Sequence, residues 1–134
     1  MPRREGMIDL MDDEQDGPAS GPTTLAGLAD EVEIISRVYE RRFGVPRTDD
    51  WLVLKLHEEV GELTQAYLAA SGRSRDRGDG TDVGGAFRAE LADVLAQLLL
   101  VARRFDVDLE SELERKWFRF RHLVEPQDED GVRR

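Results

Sequence analysis

Between Thr24 and Leu123, large apolar residues recur at intervals of three and four in four separate stretches, and no stretch alternates with period two. Spacing of this kind gathers side chains on one side of an α-helix, so the chain is predicted to be all-α. The first helix is expected over residues 24–43, with Leu25, Leu28, Val32, Ile35 and Tyr39 in its stripe and Gly44 and Pro46 behind it as stop signals. A second begins at Asp49 or Asp50, either of which can cap free N–H groups, and carries Leu52, Leu56, Val60, Leu63 and Tyr67 to about residue 70. The third covers 86–104, with Phe87, Leu91, Val94, Leu95, Leu98, Val101 and Phe105 inward. Asp106 or Asp108 caps the fourth, which reaches about residue 123 on Leu109, Leu113, Trp117 and Phe120.

Stripes this wide predict helices packed side by side in a four-helix bundle. The third helix, with "VLAQLLLVA", holds more apolar side chains than one small core absorbs. That surplus predicts burial against another copy of the chain, as a homodimer or homotetramer. Residues 1–22 are acidic and broken by Gly17, Pro18, Gly21 and Pro22, and they are expected to form a disordered tail, as are residues 124–134. The domain proper is then 23–123. Residues 71–85, "SGRSRDRGDGTDVGG", lack periodicity and read as a surface loop.

A chain of 134 residues suits one such domain. Its 29 acidic against 19 basic side chains give a net charge of −10, which repels a nucleic-acid backbone and argues against that partner. A small phosphate ligand bridged by metal ions is not excluded by this charge. Without cysteine there is no disulfide, thiolate zinc site or cysteine nucleophile. No signal segment is visible, and the longest apolar run, interrupted by Asp93 and Gln97, is too short to span a bilayer. A cytoplasmic protein with no membrane partner is the expectation.

The acids are not scattered. In "LKLHEEVGELTQAY", Glu58, Glu59 and Glu62 fall at helical spacings of three and four along one edge of the second helix. In "AELADVLAQ", Glu90 and Asp93 repeat the spacing on the third, with Asp93 beside Val94 and Leu95. Such carboxylates repel when brought together, unless a hard dication sits between them, and an all-oxygen donor set suits Mg²⁺ or Mn²⁺. A cluster of glutamates on a solvated face is, however, ordinary in an acidic protein.

"EEVGE" followed by "ELAD" on the next helix resembles the EExxE…ExxD signature of the MazG-type all-α nucleoside triphosphate pyrophosphohydrolases. The resemblance covers about residues 52–118. It implies a MazG-like bundle, Mg²⁺ dependence with Mn²⁺ as a substitute, and cleavage of a (deoxy)nucleoside triphosphate to the monophosphate and pyrophosphate, as in nucleotide-pool house-cleaning. Carried over by position, Glu58, Glu59, Glu62, Glu90 and Asp93 are the metal-site acids. Glu58 or Glu59 would instead orient or deprotonate the attacking water.

Phosphates also call for fixed cations. Lys55 lies one turn before Glu58 and Glu59, while Lys116 and Arg119 stand in "ERKWFRF" on the fourth helix, where relatives commonly carry basic residues. All three equally suit surface charges or pairs with nearby acids. Arg73, Arg75 and Arg77 in the loop are a minor possibility for folding over a nucleotide. Trp51, Tyr39 and Trp117 are candidates for stacking on a base, although aromatics at helical spacing usually belong to a core. His57 points away from the acidic edge, and His122 suits the end of the last helix, so neither is given a catalytic role.

Two rival readings stand beside this one. A ferritin-like di-iron site needs Glu-x-x-His pairs, and none exists here. A non-catalytic helical module whose acidic stripe binds a basic partner predicts that the five acids can be swapped singly with small effect.

Overall fold

The computed structural model describes residues 21–73 and 82–124. Most of the two expected tails and of the expected loop, including Arg75 and Arg77, lie outside the described residues. Within them the chain is all-helical: α1 (Leu25–Phe43), α2 (Asp49–Ala70), α3 (Val83–Arg104), α4 (Leu109–Lys116) and a 3₁₀ segment (Phe118–Leu123). No described helix is long and apolar enough to cross a membrane.

Local chemistry sets the ends. Thr24 Oγ1 accepts the Gly27 N–H at 3.0 Å to open α1, and Gly44, at φ 64°, closes it in the left-handed region where glycine has no Cβ to clash. Thr48, not Asp49 or Asp50, caps α2: its Oγ1 accepts the Trp51 N–H at 3.1 Å. The two aspartates occupy the first turn, where their charge complements the helix dipole. Helix α3 starts at Val83, three residues earlier than its apolar pattern suggested, because the glycines at 84 and 85 are carried inside its first turn. Asp108 caps α4, accepting from the Ser111 N–H at 3.1 Å.

The fourth helix is shorter than predicted. It ends at Lys116, and Trp117 leads into the 3₁₀ segment. Trp, Phe and His are modest helix formers that lose rotamer freedom against the preceding turn, and no residue of this region is buried to offset that loss.

Packing is dominated by α2 against α3, with α1 on α3. Leu52, Leu99, Leu100, Ala29 and Ala102 form the buried apolar core. Only part of the predicted stripe of α3 faces it: Phe87, Val94 and Val101 are half-buried, while Leu91, Leu95, Leu98 and Phe105 are exposed. So are Val60 and Tyr67 of α2, and Ile35 of α1 lies at the surface. What faces inward instead is a mixed row. On α2 it is Leu52, Lys55, Glu59 and Glu62; on α3 it is Leu100, Gln97, Asp93 and Glu90.

Both rows step by three, four and three, so each lies along one side of its helix. The helices run antiparallel, because Gln97 Nε2 donates to the Leu52 carbonyl at 2.9 Å at one end while Glu59 meets Asp93 and Glu90 further along. On α1 a buried carboxylate, Glu33, receives two bonds from Arg47, at 3.0 and 2.7 Å, and one from Arg37 at 2.9 Å. These bonds tie the α1–α2 connection to the bundle. Arg47 and Arg37 hold the Glu33 carboxyl below its usual range, outweighing the opposite push of burial.

Candidate metal centre

The acidic centre is built where the two polar rows face each other. Glu59, only 5% exposed, projects from the middle of α2 toward α3. One carboxylate oxygen from each of Glu59, Glu90 and Asp93 lies within 4.8 Å of the others. Asp93 and Glu90 are half-buried, as is Glu62 beside them. Position follows from register: Glu90 and Asp93 stand one turn apart on α3, and the antiparallel pairing fixed by Gln97 brings that turn level with Glu59.

Charge in this cluster is under strain. Burial, and then repulsion from Asp93, Glu62 and Glu59, pushes the Glu90 carboxyl up to about 7. Burial and Glu59 push Asp93 up to about 6. Glu62 is raised by the same two causes. The balancing cation is Lys55, whose Nζ lies 3.3 Å from Glu59 Oε1 and 3.4 Å from Glu58 Oε1. Burial disfavours its charge, but Glu59 and Glu58 outweigh burial and hold the ammonium above its ordinary range.

One lysine does not satisfy the set. Glu59 Oε2 and Glu90 Oε2 are buried and have no hydrogen-bond partner. Buried carboxylate oxygens without a partner are costly unless a proton, a water or a cation satisfies them. The donor chemistry fits a hard dication: three carboxylates, no nitrogen and no sulfur. Glu59, Glu90 and Asp93 would be the residues to hold such an ion, which would supply the positive charge that Lys55 alone does not.

The other sequence candidates fall in three places. Lys55 and Glu58 belong to the centre, Glu58 at its half-buried edge. Trp51, Leu54, Lys55 and Glu58 line a cavity of about 230 Å³ beside it, so Trp51 is the aromatic nearest the acids in this lining. That volume is below the roughly 300–1,000 Å³ of a complete small-molecule site and fits part of a ligand. Tyr39 packs on Phe43 within α1, with ring centres 4.8 Å apart, and does not line this cavity. Lys116, Arg119 and Trp117 stand on the exposed C-terminal segment, Arg119 with its guanidinium 4.6 Å above the Phe120 ring. Arg73 lies 5.1 Å over Tyr67, at the end of α2. His57 is exposed, and His122 Nδ1 lies 2.8 Å from the Arg119 carbonyl.

Sequence reasoning passed over Gln97 and the burial of Lys55. The signal was present, because residues 52, 55, 59 and 62 and residues 90, 93, 97 and 100 keep helical spacing through polar side chains. A larger cavity, about 490 Å³, lies between the start of α1 and the end of α3, lined by Ala29, Leu99 and Arg103 among others, and holds none of these acids. No family model matches the chain, and no curated protein and no solved structure matches it.

Proposed function

We propose that this chain is a Mg²⁺-dependent hydrolase of the MazG type, converting a (deoxy)nucleoside triphosphate to the monophosphate and pyrophosphate as a cytoplasmic homo-oligomer in nucleotide-pool house-cleaning. The observation that carries the reading is the convergence of Glu59, Glu90 and Asp93 across the α2–α3 seam, with Glu59 Oε2 buried and unpartnered. With Glu59 buried and Glu90 and Asp93 half-buried, the cluster suits a small cation better than a basic partner chain, which needs an open acidic face. Glu59, Glu90 and Asp93 would hold the metal, with Glu62 adding charge beside them. When bound, a divalent cation screens phosphate charge and makes water more acidic.

The remaining steps fall to the chain's own side chains. Lys55, shared by the acidic centre and the Trp51 cavity, would draw a phosphate oxygen toward the acids. Glu58, at the edge of the same cavity, would accept the proton of the attacking water, and the indole of Trp51 would offer a face for the base. Water attack at phosphorus and departure of pyrophosphate need no covalent intermediate.

The test incubates the full chain with a panel of ribo- and deoxynucleoside triphosphates, with Mg²⁺ or with EDTA, and assays pyrophosphate apart from phosphate. Pyrophosphate and monophosphate in equal amounts, released only with Mg²⁺, is the expected outcome. No turnover on any nucleotide would overturn the proposal and favour a non-catalytic module.

A further inference from the structure

The larger cavity, separate from the acidic centre, opens at one end of the bundle, where the start of α1 meets the end of α3 and the start of α4. At about 490 Å³ it lies within the roughly 300–1,000 Å³ of complete small-molecule sites. Its floor is core: Ala29 on α1 and Leu99 and Ala102 on α3 are 7%, 2% and 6% exposed. The two alanines leave open a volume that larger side chains would fill, so the cavity reaches the apolar interior.

Its rim is acidic. Asp30, Asp106, Asp108 and Glu110 line it, against one guanidinium, that of Arg103. That guanidinium is already engaged, 3.1 Å from Asp30 and 3.7 Å from Glu33. Helix N-termini are engaged as well. The Leu25 N–H at the start of α1 donates to Glu110 Oε1 at 3.1 Å, and the Ser111 N–H at the start of α4 donates to Asp108 Oδ1 at 3.1 Å. An anion entering here would meet four carboxylates and, among the described lining residues, only a cation that already serves two acids.

Asp106 stands apart from the other three acids. It follows α3 at φ 55°, the one non-glycine among the described residues with a positive φ. Its N–H donates to the Arg103 carbonyl at 3.3 Å, and the Val107 N–H donates to the Ala102 carbonyl at 2.8 Å. Glycine suits such a helix-ending position, because a Cβ is strained there. No hydrogen bond or ion pair among the described residues engages the Asp106 carboxylate in return. The turn therefore holds, under strain, an unpartnered carboxylate at the mouth of an apolar cavity.

We propose that this cavity binds a small organic cation, a primary ammonium on an apolar body. The body lies against Ala29, Leu99 and Ala102, and the ammonium pairs with Asp106 at the mouth. Asp30, Asp108 and Glu110 add attraction and select against an anion of the same shape. The site shares no residue with the Glu59–Glu90–Asp93 centre, and it stands whether or not the function proposed above holds.

The test titrates the isotope-labelled full-length chain with phenethylammonium and with phenylacetate, an anion of similar shape, and follows backbone amide shifts. Phenethylammonium should move the amides of residues 25–30 and 99–110 saturably, and phenylacetate should bind at least about tenfold more weakly. Asp106→Gly should weaken the cation about tenfold, through loss of a charged partner. It should leave the melting temperature equal or higher, because the turn is relieved. Ala29→Leu should fill the cavity and abolish binding; Asp106→Gly, which keeps the floor intact, decides the matter if that variant fails to fold. Equal affinity for the two probes, no saturable shift with the cation, or unchanged affinity in Asp106→Gly would overturn the proposal. Shifts confined to the surroundings of Glu59, Glu90 and Asp93 would also overturn it, by moving the cation to the acidic centre. Shifts of the cavity amides on dilution without any probe would assign the cavity to a second copy of the chain and overturn it too.

Discussion

Asp93 and Glu59 are both acids of the centre, yet their removal should have opposite effects on the metal-free protein. Asp93 keeps its charge against burial and against Glu59, so Asp93→Asn relieves repulsion and should raise the melting temperature in EDTA. Glu59→Gln takes from buried Lys55 the carboxylate 3.3 Å away and should lower it. Thermal melts of both variants in EDTA check this; equal shifts would contradict it. Glu33 is a different kind of acid. Its pair with Arg47 is buried while Arg37 reaches it from the surface, and Glu33→Gln should cost about 3 kcal/mol, at the low end for a broken buried pair. Urea unfolding measures the loss, and a change near zero would place these pairs among ordinary surface contacts.

The raised carboxyls also set a pH dependence. Glu90 and Asp93 hold their protons more tightly in the fold than in the unfolded chain, so the folded state binds more protons and stability falls as pH rises. The window opens near the unfolded carboxyl range, about 4, and closes once Glu90 has titrated, at about 7. Glu33, held low by Arg47 and Arg37 in spite of burial, acts in the other direction and loses its contribution only in acid below that window. In EDTA, melting temperature should therefore decline between pH 5 and pH 8. Saturating Mg²⁺ should flatten the decline, because ligation requires the charged carboxylates. A flat or rising profile in EDTA would contradict the assigned cause.

At the scale of elements, helix number and order were legible in the spacing of apolar residues, and the ends of α1 and α2 fell within a residue or so of Thr24, Gly44, Asp49 and Ala70. The faces were less legible. For α3 the apolar stripe pointed to Leu91, Leu95 and Leu98, whereas burial fell on Gln97, Leu99 and Leu100. A helix packed between two neighbours hides two narrow faces, and one of them is polar here, so the widest apolar stripe is not the core. The acidic edges were visible as EExxE and ExxD, and the structure brings Glu59, Glu90 and Asp93 together. Their register was not visible, because it depends on the bond from Gln97 to the Leu52 carbonyl, a contact across 45 residues. Replacing Leu100, 1% exposed, with Ala should cost about 3 kcal/mol. The same change at Leu95, 45% exposed, should be far milder in a monomer. Denaturant midpoints of the two variants measure this directly, and equal losses would indicate that the α3 strip is covered.

For the whole molecule, the described helices bury few apolar residues and place acids on the interface that holds α2 to α3, so the repulsion that weakens this seam is what a bound cation would relieve. A cation there would act as an internal staple, stabilising the fold in proportion to its occupancy. The most direct measurement is a Mn²⁺ titration of the unmodified chain and of Asp93→Asn, followed by the loss of the free Mn²⁺ signal in electron paramagnetic resonance. Saturable binding of at least one ion per chain, abolished or strongly weakened in Asp93→Asn and competed by Mg²⁺, is the predicted result. Weak, unsaturable binding that is the same in both proteins would show that the seam between α2 and α3 holds no metal.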